Sequence, residues 1–199
     1  MAVKFQYNKT FLQQLNRDLK IRENALPTLI AKESALRLEV KRAKEKVAEL
    51  EDKIKEQLKS IDQTNRLWYE IPEGLISIKD VNIDIKKIAG VKTPILKSVD
   101  FSVNRYSLVA KAAWVPEGIE ILKGISELKI SLELAIKKVG ILEYARKKTT
   151  QKVNLYEKVQ IPEFNEAIQK IKRFLEDEEN LSKSSQKILK MKIAAAEAA

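Results

Sequence analysis

The chain has 199 residues, a net charge of +10 and neither Cys nor His. The missing residue types exclude disulfides, the usual zinc ligand sets and nucleophile–histidine dyads. With only five Gly and five Pro, the chain has few turn residues, so we expect long elements. No apolar run approaches the length that crosses a bilayer and the start is too polar for a signal peptide, so we expect a cytoplasmic protein.

Residues 1–71 predict one long helix beginning near Asn8 or Thr10, because they contain a single Pro, no Gly and many strong helix formers. Heptads counted from Leu12 place apolar residues at seven of eight a positions, which is typical of a coiled-coil seam. The companion d series contains fewer apolar residues. Pro27 predicts a bend without a break, and the polar seam residues Arg22 and Glu33 are interpreted as fixing register. The seam residues predicted here are Leu12, Leu19, Leu26, Val40, Val47 and Ile54.

Residues 72–116 predict a small head with a short β-hairpin. Apolar residues alternate at positions 81, 83 and 85 and again at 99, 101 and 103, and residues 89–94 between them are predicted to form a loop. Two strands alone are only marginally stable in water. The apolar side of the hairpin must therefore rest on the helices or on a partner.

Residues 117–199 predict a second long helix, in which eight of ten a positions counted from Ile125 are apolar. A shift of its companion series near Pro162 predicts a kink or a stutter. The simplest way for two long helices to bury their seams is to fold back on each other, so we predict one elongated all-α domain, a long antiparallel two-helix coiled coil with a small hairpin-bearing head in the middle. The seam residues predicted in this half are Leu132, Val139, Val153, Ala167, Phe174 and Leu181.

The sequence contains no glycine-rich phosphate loop. Neighbouring acidic residues such as Glu178 and Glu179 diverge around a helix and cannot converge on one atom. We therefore expect no catalytic residues, no metal site and no cofactor.

Several segments of the chain are similar to a known family. Three stretches resemble the D subunit of V-type (V/A-type) ATPases: Asn8 to Lys20, Lys32 to Val40, and Thr149 to Glu163, which contains Val153-Asn154 and Ile161-Pro162. The middle segment from Ile88 to Pro94 and Ala113-Trp-Val before the second helix are also similar to bacterial members. The sequence departs from the family pattern at Lys152, where Arg is usual.

This resemblance implies a non-catalytic rotor subunit in the central stalk of a rotary ATPase or ATP synthase. Such a subunit transmits torque between the catalytic A/B ring and the ion-translocating ring in the membrane. The implied partners are the catalytic A and B subunits, the F subunit and a funnel-shaped stalk subunit on the membrane ring. The resemblance implies a cytoplasmic location, peripheral to the membrane as part of the complex, without membrane insertion and without nucleic acid.

Exposed polar and aromatic residues are the candidate contacts with these partners. A solvated coiled-coil face is the alternative interpretation of the charges, and packing of the head is the alternative for the aromatic residues. The candidate ring-facing contacts are Arg37, Lys41, Arg42, Lys148, Lys152, Asn154 and Glu157. The candidate head or F-subunit contacts are Trp68, Tyr69 and Trp114.

Three other function classes stay open on the sequence alone. Periodicity by itself also fits a coiled-coil scaffold or tether of another assembly. A nucleic-acid binder would need clustered basic charge with stacking groups, whereas the basic residues here are spread thinly. A bundle enzyme is the weakest alternative, because four facing helices with inward carboxylates are not predicted.

Overall fold

A computed structural model describes residues 6–62, 68, 74–104 and 113–197. Of the described residues, 79% are helical, and they form a single two-stranded antiparallel sheet. This confirms the long N-terminal helix, the hairpin and the long C-terminal helical segment that the sequence predicts. The elements in chain order are α1 (Lys9–Asp62), β1 (Ile76–Ile88), β2 (Val91–Val103), α2 (Val115–Leu155), a π-helical turn (Tyr156–Gln160) and α3 (Ile161–Glu197).

Tertiary contacts divide the chain into two compact units. The first unit comprises Met1–Ala31 and Thr149–Ala199, and the second comprises Lys32–Lys148. Helix α1 contributes residues to both units. The packing of each unit is therefore described separately.

Helix α1 starts at a side-chain cap. The Phe11 N–H donates to Asn8 Oδ1 at 2.6 Å, which satisfies one of the free N–H groups of the first turn. The helix then continues through Pro27 without interruption, as the sequence predicts.

The hairpin reverses direction in only two residues. Ala89 has φ +48° and Gly90 has φ +79°, and positive φ at both central residues is what a tight turn between twisted strands requires. The predicted loop at residues 89–94 is therefore wrong, because β2 already begins at Val91. Pro94 fits inside β2 because both strands of a two-stranded sheet are edge strands, where a missing N–H need not interrupt the ladder.

The irregularity predicted near Pro162 is the π-helical turn between α2 and α3. The Ile161 N–H donates to the Tyr156 carbonyl, five residues earlier instead of four. Pro162 has no N–H, and in an α-helix its ring would collide with the carbonyl of Lys158. The wider turn relieves that collision and adds one residue to the helical path.

The first unit is held by apolar contacts between the start of the chain and α3. Leu15 is buried against Ala167, Ile168 and Ile171. The Tyr7 ring contacts that of Phe174 at a tilt of 47°, whereas Arg22, on α1, contacts Phe164. Rising numbers on one segment meet falling numbers on the other, so the two segments run antiparallel in this unit.

The second unit buries α1 against α2 and the tip of the hairpin. Its central cluster contains Leu36, Val40, Ala43 and Leu142, and residues 88, 89 and 91 at the hairpin turn pack against it. A smaller cluster joins Leu75 to the start of α2. The hairpin is thus attached to the helices at its turn and, through Leu75 and Ile76, at the start of β1.

Candidate functional site

The seam residues predicted in the first unit differ in burial. Leu12 and Leu19 pack partly buried against the Leu15 cluster, and Ala167 is 1% exposed within it. Leu26 and Val153 are half-buried. The seam of this unit is therefore closed around Leu15 and Ala167 and more open at its other positions.

Two predicted seam residues lie near the end of this packed region. Phe174 is 45% exposed, although its ring centroid lies 4.7 Å from that of Tyr7, and Leu181 is 69% exposed. Phe174 lies opposite residues that precede α1, which begins at Lys9. Leu181 is two turns further along α3.

In the second unit, the companion series supplies the best-buried seam residues. Val40 and Ile54 of the predicted set are buried, whereas Val47, Leu132 and Val139 are half-buried. The d-series residues Leu36, Ala43 and Leu50 are only 0%, 6% and 8% exposed, although the sequence ranks their series as the weaker one. The number of apolar residues in each series did not predict this burial. Burial depends on which residues the partner helix covers.

Arg22, a polar seam residue, binds the opposite helix. Its Nε donates to Gln160 Oε1 at 2.9 Å, its Nη1 donates to the Asp18 carbonyl, and its guanidinium lies 4.4 Å from the centroid of the Phe164 ring. These contacts are directional and lie beside the π-helical turn. Arg22 is predicted to fix the register, and its two partners across the unit are Gln160 and Phe164. The sequence did not identify these partners.

The candidate ring-facing cations on α1 are exposed and form ion pairs along their own helix. Arg37 pairs with Glu33 at 3.1 Å, Arg42 with Glu39 at 2.9 Å and Lys41 with Glu45 at 4.0 Å. The Lys41–Glu45 pair is exposed on both sides, and such pairs contribute little to stability. The side chains of Glu33 and Glu39 are only 13% and 26% exposed, whereas those of Arg37 and Arg42 are 69% and 63% exposed.

The remaining candidate contacts lie on the second half of the chain. In the second unit, Lys148 Nζ lies 5.5 Å from the centroid of the Tyr144 ring. In the first unit, Lys152, Asn154 and Glu157 are exposed, and Glu157 belongs to the π-helical turn. Their roles as contacts stay predictions.

Ion pairs lower the pKa of carboxylates in the second unit, Glu49 and Glu143 among them. Lys44 Nζ lies 2.6 Å from Glu143 Oε1, joining α1 to α2, and this hydrogen bond lowers the pKa of Glu143. On α1, hydrogen bonds from Lys53 and Lys46 lower the pKa of Glu49 to about 2. Both carboxylates are charged at neutral pH and act as ion-pair partners, which does not suit general acid–base chemistry.

The aromatic candidates of the head meet each other in the second unit. The rings of Trp68 and Trp114 lie 5.4 Å apart in an edge-to-face arrangement, and both side chains are half-buried. Such pairs stabilise packing beyond the area they bury. Tyr69 lies outside the described residues. The contact favours head packing for the two tryptophans, and a role with the F subunit stays a prediction.

Neither a metal site nor a membrane span is found in the part of the chain that the structure describes. Those residues contain no group of three or more Asp or Glu side chains arranged to hold a metal ion. None of the described helices combines the length and the apolar character needed to cross a membrane.

The chain is similar to a known protein family over nearly its whole length. The family model for the D subunit of ATP synthase matches residues 11–191. The V-type ATP synthase D subunit of Borreliella burgdorferi is 33% identical over 192 residues, which cover 94% of each chain. The proteins of the same name from Chlamydia pneumoniae and Chlamydia muridarum are 28% and 31% identical, and the alignments cover 97% and 84% of this chain and 95% and 85% of theirs.

Proposed function

Because the chain belongs to the family of ATP synthase D subunits, we propose that it is the central-stalk rotor of a V/A-type rotary ATPase or ATP synthase. In this role it transmits torque between the catalytic A/B ring and the ion-translocating ring in the membrane. It is a non-catalytic subunit of the complex, located in the cytoplasm and peripheral to the membrane. Its partners are the A and B subunits, the F subunit and the funnel-shaped stalk subunit on the membrane ring.

The observation that carries this proposal is the packing of α1 in both units. Its residues pack against α3 around Leu15 in one unit and against α2 around Leu36 in the other. We propose that these contacts belong to one antiparallel coiled coil. Close-packed side chains have low compressibility, so a seam of this kind resists twisting, which a torque-transmitting shaft requires.

Fixed register is a second requirement for a shaft, because sliding of one helix along the other would dissipate torque. The Arg22–Gln160 hydrogen bond and the contact of Arg22 with the Phe164 ring favour a single register. Buried or half-buried polar residues at seam positions have this effect in other coiled coils.

The exposed cations supply the proposed contacts with the ring. We propose that Arg37, Lys41 and Arg42 exchange their own-helix carboxylates for acidic groups on the A and B subunits as the shaft turns. Coulomb attraction between exposed charges is screened within about 8 Å at physiological ionic strength. Stepping of the rotor should therefore respond to salt.

The test is a tagged pull-down of the full chain from native membranes, with mass spectrometry and an ATPase assay on the eluate. We expect catalytic A and B subunits and the F subunit to arrive together with ATP hydrolysis. Arrival with an unrelated assembly would support the scaffold alternative. Arrival alone or with nucleic acid would contradict the rotor proposal.

A further inference from the structure

The two strands of the hairpin are offset by a β-bulge that keeps apolar residues on one face. Between the pairs Asn82↔Ser98 and Ile83↔Leu96, β2 advances by two residues while β1 advances by one, so Lys97 is the extra residue. Residues 96 and 99 are three apart and would otherwise point to opposite faces. The bulge places Leu96 on the same face as Val99.

A second bulge makes the same correction on the other strand. Between Ile78↔Phe101 and Asp80↔Asp100, β1 advances by two residues and Lys79 is the extra one. This places Ile78 on the same face as Val81. As a result, the five apolar pairs from Ile76↔Val103 to Ile85↔Pro94 share one side, which we term the apolar hairpin face.

Ile76, at one end of the apolar hairpin face, packs beside the start of α2, but the isoleucines of β1 beyond it remain exposed, because near the turn the hairpin packs on the helices through its reverse side. Lys86↔Thr93 is the next pair after Ile85↔Pro94 and therefore points to the reverse side, where Thr93 is fully buried. On the apolar hairpin face, Ile78 and Ile83 are each 50% exposed and Ile85 is 63% exposed. The sequence predicts that the apolar side of the hairpin rests either on the helices or on a partner, and this arrangement favours a partner.

An added strand would not fit the edge of β1. The N–H groups of Val81 and Ile85 donate to the carboxylates of the preceding residues, Asp80 and Asp84, at 2.8 Å and 2.7 Å. Strand addition needs free backbone N–H groups along the edge. Strand addition at the β1 edge is therefore unfavourable, and the exposed isoleucines of β1 favour a partner that packs on the face with its side chains.

The charge at the turn end of the face indicates what the partner carries. Lys87↔Lys92 lies two pairs beyond Ile85↔Pro94, so both lysines are on the same side as the apolar residues. Like charges directly opposite each other are unfavourable, and within the described part of the chain neither lysine forms an ion pair. A carboxylate from a partner would relieve this repulsion.

We propose that the apolar hairpin face is the docking surface for an amphipathic helix of another protein of the same complex. The apolar stripe of that helix covers the isoleucines, and acidic residues at one end meet Lys87 and Lys92. The ten β1 positions from Ile76 to Ile85 extend over about 30 Å, the length of a helix of roughly 20 residues. This inference rests on membership of the ATPase complex, as in the proposed function.

Thiol labelling tests the face directly, because the chain has no Cys. Ile83→Cys lies on the apolar hairpin face, and Ser98→Cys, an exposed position whose pair faces the reverse side, is the matched control. We expect both variants to react with a maleimide in the isolated chain. In the affinity-purified complex, Ile83→Cys should react at least roughly tenfold more slowly while Ser98→Cys stays reactive, because a stable interface excludes solvent.

Several outcomes would overturn the docking proposal. The first is unchanged reactivity of Ile83→Cys in the complex, and the second is equal protection of both positions. The third is protection that appears in the isolated chain as its concentration rises, because the occupant would then be a second copy of this chain. The protein composition and ATP hydrolysis of the same eluate report separately on the proposed function. An active complex with a reactive Ile83→Cys thus rejects the docking surface alone.

Charge reversal and carbodiimide cross-linking test the acidic end of the partner. The double variant Lys87→Glu with Lys92→Glu should lose the protection of Ile83→Cys, whereas Lys86→Glu on the reverse side should keep it. Cross-links from Lys87 or Lys92 should reach carboxylates spaced three or four residues apart, as on one face of a helix. Cross-links confined to this chain, or equal effects of the two charge reversals, would contradict the proposal.

Discussion

Single residues across the α1–α2 contact show how weakly exposed charges hold this fold. Lys44 and Glu143 are joined at 2.6 Å, yet their side chains are 59% and 41% exposed. Water competes for both groups, so such a pair contributes little to stability. The apolar cluster around Leu36 and Leu142 supplies the stabilisation.

Glu143→Gln should change stability in a pH-dependent manner. The pKa of Glu143 is lowered in the folded protein by Lys44, so its contribution is present above the unfolded-state pKa and is lost as pH falls through the folded-state pKa. We expect the variant to melt at most about 2 °C lower at pH 7, with the difference shrinking below pH 5. Circular dichroism melts of Glu56→Gln, an exposed residue of α1, serve as control; an equal or pH-independent loss would contradict this account.

Glycine substitutions should have opposite signs at the hairpin turn and in α2. At Gly90, φ is +79° and an added Cβ would meet only Lys32 Nζ at 3.8 Å, so the cost is conformational and not steric. Gly90→Ala should destabilise by about 1 kcal/mol. Gly124→Ala should stabilise by a similar amount, because a Cβ at this helical position meets nothing within 4 Å and Ala is the better helix former.

Urea unfolding midpoints measure both glycine variants. Equal signs for the two substitutions would show that space, rather than backbone conformation, decides the effect at Gly90.

At the scale of elements, the π-helical turn determines which residues of α3 face α1. A π-helical turn is equivalent to one residue inserted into an α-helix, so it changes the rotational phase of everything that follows. Gln160 ends the turn and binds Arg22, and Ile168 belongs to the buried cluster soon after it. The seam of the first unit depends on that phase.

Single-residue deletions test this interpretation in a Pro162→Ala background. Deleting Val159, an exposed residue of the turn, should convert it to α-helix, preserve the phase of α3 and cost little stability. Deleting the exposed Glu166 instead should rotate the downstream residues by about 100° and withdraw the buried residues from Leu15, a loss of several kcal/mol. The two urea unfolding midpoints distinguish these outcomes, and equal losses would contradict the equivalence of the turn to an insertion.

At the scale of the whole molecule, α1 links two units that each bury part of it. The family match from residue 11 to residue 191 spans both units, so both units belong to the region that the family shares. Its net charge of +10 suits contact with acidic surfaces. In the rotor proposal, the seam transmits the mechanical load and the exposed faces provide the contacts.

Leu36→Asp should uncouple the assembled complex. This residue is 0% exposed, and an unpaired charge in its place cannot stay buried, so the seam of the second unit should open. We expect ATP hydrolysis to continue while ion transport per ATP falls severalfold, measured in reconstituted vesicles. Leu38→Asp, two residues away and 50% exposed, is the matched control, and full coupling in the Leu36→Asp complex would reject a torque-bearing seam.

The sequence by itself determined the long helices, the hairpin and the family. These features follow from local or periodic signals: helix formers without glycine, the heptad spacing from Leu12 and the alternation at positions 81–85. Each of these signals predicts a helix or a strand. The Val153-Asn154 to Pro162 segment carried the family resemblance, and Pro162 correctly indicated an irregular helix. These features depend on neighbouring residues, so no tertiary structure was needed to find them.

Only the tertiary structure decided which residues of those elements are covered. Leu36 is buried and Leu181 is exposed, although both are leucines in the heptad pattern, because burial depends on what the fold places opposite each residue. The partners of Arg22 and the two bulges that gather the apolar hairpin face likewise depend on pairing between distant segments. Periodicity records which face of an element is apolar, but the extent and register of the partner decide what that face meets.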